Sequence, residues 1–237
     1  MRGYMEKVGH GFVELVDYMG ADLTHVNAAR VSLGKRSNTF NEKDAKLVAF
    51  LALSDPQHSA PFRHAQVQFH IKAPEFVARQ WYKHQVGTQW DFDKGLSYGG
   101  FNDTAWNEIS GRYQTYNEFW LPDYFRTKAD GVKQGSDDVK HKNNDAWMHA
   151  YKKHVESTEE LYKDMILDGI PPEQARTILG MNVMTEWYWT TSFQAIAHFV
   201  RLRDEEHAQK EIRDYAVVIN NIMSKLFPAA WEYRHRL

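Results

Sequence analysis

Ala65-Gln66-Val67-Gln68-Phe69-His70-Ile71 alternates without a break. Val67, Phe69 and Ile71 fall on one face of an extended chain, and Gln66, Gln68 and His70 on the other. This period of two marks a strand with one side in a core and the other toward water or a ligand. Pro74-Glu75 follows. Proline suits a first helical turn, and an acid suits the positive end of the helix dipole. The spacing predicts a helix from there to about Val86, closed by Gly87. The flanking stretches repeat the mixture of periods. Residues 12–17 read as an early strand. Asp22 is placed to cap a helix through Ala28 and Ala29 that ends near Ser32. Asn41-Glu42-Lys43-Asp44 opens a second helix through Leu47, Phe50 and Leu53, which Pro56 stops. Residues 89–106, rich in Gly, Asp, Ser and aromatics, read as an irregular loop. Residues 131–144 read as a polar loop, and 146–167 as a long amphipathic helix ended by Asp168-Gly169. Pro171-Pro172-Glu173 starts the next helix. Residues 183–191 read as strand, and 193–203 and 206–226 as helices. The expectation is one α+β domain with no repeat and no interdomain linker.

Composition narrows the function. The 237 residues include 29 basic and 31 acidic side chains, a net charge of −2. No basic balance points to nucleic acid. Hydrophobic residues at 43% and charged residues at 25% suit a globular chain. No run reaches the roughly 18 apolar residues of a membrane span. Residues 1–10 lack the apolar stretch of a secretory signal, so the cytoplasm is the expected address. The absence of cysteine excludes disulfides, thiolate metal sites, iron–sulfur clusters and a cysteine nucleophile. The 12 histidines raise the question of a metal, but His-Glu-x-x-His and the paired Glu-x-x-His motifs of di-iron bundles are missing, so no metal site is expected. Walker and Rossmann glycine signatures are missing too.

Four stretches concentrate polar chemistry. In Arg79-Gln80-Trp81-Tyr82-Lys83-His84-Gln85, Gln80 and Lys83 share a helical face, as do Arg79 and Lys83. The bland reading is a solvated helix with a Glu75–Arg79 pair. Ser110-Gly111-Arg112 offers a hydroxyl, a backbone N–H and a guanidinium to one phosphate. Arg176 stands among apolar neighbours on a short helix, where a semi-buried arginine needs an anionic partner. From Ser192 to Arg203 about three helical turns elapse, so both ends line up, with Gln194 and His198 as an i, i+4 pair between them. These clusters suit an anionic, planar ligand. Composition and spacing carry the reading no further.

Taken together the stretches resemble the flavin-dependent thymidylate synthases over residues 11–231. Gly-Phe-Val-Glu-Leu-Val-Asp at 11–17, Ala-Ala-Arg-Val-Ser at 28–32, Ala-Pro-Glu-Phe-Val-Ala-Arg-Gln-Trp at 73–81, Asn-Glu-Ile-Ser-Gly-Arg-Tyr at 107–113 and Leu-Arg-Asp-Glu-Glu-His-Ala-Gln at 202–209 carry the likeness. The family signature is Arg-His-Arg followed after a short gap by Ser and Arg. Here it reads Lys83-His84-Gln85, then Ser110 and Arg112, so residues 89–106 look like a loop insertion. The Lys-His-Gln form resembles phage-encoded members.

The resemblance implies a small antiparallel sheet flanked by helices and a homotetramer with active sites shared between subunits. It implies methylation of dUMP at C5 to dTMP, with methylenetetrahydrofolate as carbon donor and NADPH-reduced FAD as hydride donor. Arg203 matches the catalytic arginine at the uracil edge. Gln80, Lys83, Glu108, Ser110, Gly111, Arg112 and Arg176 match dUMP-binding positions. Ser32, Lys83, His84, Gln85, Glu108, Ser192, Gln194 and His198 match flavin contacts. His58 and Tyr113 match positions near the folate. Gln85 and Gln194 stand where arginine is common, which removes positive charge near the cofactor diphosphate; Ala60 and Arg63 stand where Thr and Glu often occur, and Arg63 offsets one of the lost charges, so the expectation is weaker FAD binding than in a typical member. Lys83 keeps a charge but loses the guanidinium fork. Two other readings remain: a diverged member with different C5 chemistry on a pyrimidine nucleotide, and a non-catalytic nucleotide-binding oligomer.

Overall fold

A computed structural model describes residues 1–84, 104–131 and 135–237 in full, and the backbone of residues 88–91 and 96–99. Along the chain come β1 (Tyr4–Val8), β2 (Gly11–Met19), α1 (Asp22–Arg30), α2 (Glu42–Leu53), β3 (Gln66–Pro74), α3 (Glu75–Trp81), β4 (Thr88–Asp91), β5 (Leu96–Gly99), β6 (Ala105–Glu108), β7 (Arg126–Lys128) and β8 (Ser136–Lys140). There follow α4 (Asn144–Leu167), α5 (Pro172–Ala175), β9 (Met184–Ser192), α6 (Phe193–Arg203), α7 (Lys210–Leu226) and α8 (Pro228–Trp231).

The alternating stretch becomes the middle of a five-stranded antiparallel sheet, ordered β1-β2-β3-β9-β6. Its register pairs Phe69 with Trp189 and Ile71 with Trp187 on one side, and Ile71 with Val13 on the other. Val13, Leu15, Val67, Phe69, Ile71, Trp187 and Trp189 are buried on a single face, as the period of two requires. Helices α6 and α7 cover that face. Ile212, Tyr215, Ala216, Ile219, Ile222 and Met223 of α7 are buried at spacings of three and four. Trp81, at the end of α3, stacks on Phe199 of α6 at 4.4 Å and meets Trp187 and Trp189 edge-on at 5.4 and 5.5 Å. Trp106 on the edge strand β6 stacks on Trp187 at 4.7 Å. Each fully buried ring of this size contributes about 2–3 kcal/mol of burial. The α+β architecture, a small antiparallel sheet flanked by helices, is as expected.

Several local expectations are corrected. The helix after Pro74 closes at Trp81, not near Val86. Within 89–106, expected to be irregular, β4 pairs with β5 in a hairpin and β6 joins the main sheet. Within 131–144 lies β8, which pairs with β7. The last long helix starts at Lys210 rather than Glu206. Asp22 does not cap its own helix, whose N-cap is Ala21. Its buried carboxylate instead accepts from Ala229 N and Ala230 N, both at 2.9 Å, and so caps α8 from 207 residues away. Local sequence signals the acid but not the helix it serves. Asn41 does cap α2, in a reciprocal box with Asp44. Among the described residues no helix is long and apolar enough to cross a membrane.

Candidate functional site

Helix α6 brings most of the polar residues together. The Ser192 hydroxyl accepts from Ala195 N at 3.2 Å and caps the helix. Phe193, Ile196, Phe199 and Val200 turn into the core. Gln194, His198 and Arg201, at spacings of four and three, form the partly exposed stripe opposite. Arg203 ends the helix. Its Nε donates to Nε2 of His84 at 3.0 Å, and its Nη2 to the Gln80 carbonyl at 3.4 Å. The Gln80 amide donates in turn to Gln209 at 2.8 Å.

The electrostatics of this corner follow from its burial. His84 is 4% exposed. Burial first, then Arg203 and His198, push its pKa down to about 4. It is therefore neutral at pH 7. Because Nε2 accepts from Arg203, the ring proton sits on Nδ1. Burial, then Arg201 and Arg203, also lowers His198, whose Nδ1 lies 3.0 Å from Arg201. Burial alone lowers Arg203, and no carboxylate among the described residues raises it. The corner thus holds a partly buried guanidinium with neutral partners. Beside it opens a cleft of about 550 Å³, lined in part by Gln80, Arg203, Gln209 and Arg126.

A second corner forms where β6 ends. The Ser110 carbonyl accepts from Tyr113 N at 3.0 Å and Gln114 N at 3.1 Å, and its hydroxyl from Arg112 N at 3.3 Å. This is a tight turn with its N–H groups gathered on one side. A Cβ on Gly111 would stand 2.4 Å from the Tyr116 ring and 3.0 Å from Cδ of Arg176, so only glycine permits the approach. Arg112 is exposed and pairs with Glu173 at 3.3 Å. Arg176 corrects the expectation of a semi-buried arginine. Ala175 takes the inward position, and Arg176 is exposed in the 3-10 turn that follows α5. The Glu108 carboxylate accepts from the Thr185 hydroxyl at 2.5 Å and the Trp106 indole at 3.1 Å.

A third group lies apart. Ser32 and His58 line a cleft of about 560 Å³ with the apolar walls Leu33, Leu47 and Phe50. The His58 ring stacks on Phe50 at 5.8 Å. Lys83 is exposed after α3, Tyr113 is 80% exposed in the Ser110 turn, and Gln85 lies outside the described residues. The residues fall into three groups, and His58 and Tyr113, both matched to the folate, fall in different ones. Sequence reasoning gave no role to Thr185, Trp106, Arg201 or Gln209. Only Gln209 carried a signal, as the last residue of the 202–209 block. Gly95-Leu96-Ser97-Tyr98-Gly99 has the spacing of a hydrolase nucleophile elbow, but Ser97 lies within β5 rather than at a strand-to-helix turn.

The donor set suits a large planar cofactor with hydroxyl and imide groups. Gln194 Oε1 is buried with no hydrogen-bond partner, and a buried amide oxygen calls for a donor. His198, four residues on, stands on the same partly exposed stripe and could hold such a group.

A family model described as thymidylate synthase complementing protein matches residues 14–229. The flavin-dependent thymidylate synthase of Thermosipho africanus is 36% identical over 228 residues, covering 94% of this chain and 90% of that protein. That of Thermotoga neapolitana is 37% identical, covering 94% and 89%. Among solved structures, a UMP/dUMP methylase, PolB, from Streptomyces cacaoi, bound with 5-Br dUMP, superposes with a TM-score of 0.78 at 25% identity, covering 98% of this chain and 95% of that one. With the motifs, the fold and near end-to-end relatives in agreement, the chain belongs to the flavin-dependent thymidylate synthase family.

Proposed function

We propose that this protein converts dUMP to dTMP by reductive methylation at C5, with methylenetetrahydrofolate as carbon donor. Bound FAD, reduced by NADPH, supplies the hydride. The observation that carries this reading is Arg203: a partly buried cation held by a neutral histidine and a carbonyl, with no salt bridge to an acid among the described residues. Such a cation stabilises negative charge on a pyrimidine ring, including loss of the N3 proton. Ser110, the Gly111 N–H, Arg112 and Arg176 supply the donors and charge that a phosphate monoester needs. Gln80 and Lys83 extend that set, while Ser32, His84, Gln85, Glu108, Ser192, Gln194 and His198 hold the flavin. His58 and Tyr113 are the stacking surfaces for the pteridine.

The division into three groups supports active sites completed by other copies of the chain, in a homotetramer; the proposed address is the cytoplasm. Each guanidinium, turn and stacking ring would then meet its counterpart across an interface. A second reading, methylation of UMP as well as dUMP, is favoured by the structural neighbour described as a UMP/dUMP methylase.

The test is product analysis by chromatography and mass. Protein is incubated with dUMP or UMP, FAD, NADPH and methylenetetrahydrofolate, and each is omitted in turn. dTMP formed only from the complete dUMP mixture supports the reading. A methylated product from UMP establishes the broader specificity. NADPH consumption without either product refutes methylation.

A further inference from the structure

Glu75 opens α3, and its N–H donates to the Val183 carbonyl at 2.9 Å, which fixes it beside the start of β9. Its half-buried side chain and that of Glu108 line one small cleft, together with Arg79, Tyr82 and Trp106. Two ionised carboxylates in one cleft repel, so the pair favours keeping one proton. Both oxygens of Glu108 already accept, from Thr185 and Trp106. Burial and the neighbouring Glu108 both raise Glu75, so Glu75 is the member that keeps the proton and can donate it toward Glu108. Arg79 faces Glu75 from its own helix. Tyr116, from the segment after β6, feels Glu108, Glu75 and Arg176 together and packs over Gly111. The acid pair therefore borders the turn that holds Ser110 and Arg112.

We propose that Glu75 is a positioning residue which, as a neutral acid, holds Glu108 beside the Ser110–Arg112 turn and so makes nucleotide binding depend on pH. The proposal rests on the dUMP reading above. Burial, then the Glu108 charge, pushes Glu75 up to about 7. Below that pH the pair shares its proton and carries one negative charge. Above it the pair carries two, next to the corner that receives a phosphate, and Glu75 has no proton left to donate toward Glu108. Glu75→Gln keeps a permanent donor of the same shape and cannot ionise.

The experiment is calorimetric titration of dUMP into the full chain and into Glu75→Gln at pH 6.5, 7.5 and 8.5. Taking the ratio of the two dissociation constants cancels the ionisation of the phosphate itself. The ratio, unmodified over variant, is expected to rise about fivefold across this range. A structural role alone would shift affinity equally at every pH, so a constant ratio overturns the proposal. Carbon-13 NMR of glutamate-labelled unmodified protein supplies a reading that needs no variant. One carboxyl titrating near neutrality is expected, and only carboxyls titrating in the ordinary range would overturn the shared proton. If that carboxyl titrates near neutrality but dUMP does not bind at any pH, the functional reading fails and the coupling to nucleotide fails with it.

Discussion

The Arg203 corner and the Ser110 corner are built in opposite ways. At the first, residues from α3, α6 and the start of α7 are tied together by hydrogen bonds, and His84 is buried deeply enough to stay neutral. At the second, Arg112 and Tyr113 are exposed on a short turn, Arg176 is exposed on the 3-10 turn after α5, and the ion pair of Arg112 with Glu173 is solvated. The difference matches two tasks. A group that stabilises charge during a reaction must be fixed before the reaction begins. A group that captures an anionic tail can reorganise around it, because charge-assisted bonds to phosphate repay the ordering. On the proposed function, the first corner would be preorganised for chemistry and the second left adaptable for capture.

Substitutions can break this contrast. Arg203→Ala should lower kcat by about 10²–10³, with a thermal midpoint close to that of the unmodified protein, read by turnover assay and circular dichroism. A near-normal rate would displace the chemistry from this corner. Arg112→Ala should raise KM for dUMP by about 10- to 100-fold with little change in kcat or stability, because exposed ion pairs contribute little. An equal loss in kcat would show that the second corner is also preorganised.

The frame behind α6 gives a test by pH. His25 is fully buried among Phe62, Phe193 and Phe227. Burial is the main cause holding its pKa down to about 4. The unfolded chain binds a proton at His25 below about 6.5 and the folded chain does not. Stability is therefore lost as pH falls from 6.5 toward 4. His25 alone should account for about 2 kcal/mol between pH 7.5 and 5. Urea midpoints at those two pH values should lie closer together in His25→Phe. The smallest effect is expected for Glu173→Ala, which releases Arg112. KM for dUMP should fall about twofold with stability unchanged, and an unchanged KM would mean that the ion pair does not compete with the nucleotide.

What was legible in the sequence depended on distance along the chain. The period of two in β3, the aromatic and β-branched run of β9 and the boundaries of α6 are local patterns, and all three elements stand where they were expected. Asp22 was read as an acid at a helix start, but its partners lie 207 residues on. Glu75 sits at a helix dipole as the sequence predicts and opens α3, but it shares its cleft with Glu108 from the edge strand β6, which no local pattern signals. Arg176 was recognisable as a residue type, while its exposure depended on which way a 3-10 turn rotates it. The candidate residues could be named from motifs. Their separation into three groups within one chain could not, since it follows from packing rather than from order.

The indoles give the protein an intrinsic optical reporter. Trp106, Trp187, Trp81 and Trp189 form a continuous run of ring contacts between 4.7 and 5.5 Å from the edge strand into the core. Transition dipoles at this separation couple, so the near-ultraviolet spectrum should contain a paired band of opposite signs that Trp106→Phe reduces. Trp106 also donates to Glu108, which ties the outer end of the run to the candidate nucleotide site. Ligand arrival there can then be followed by polarised light in unlabelled protein.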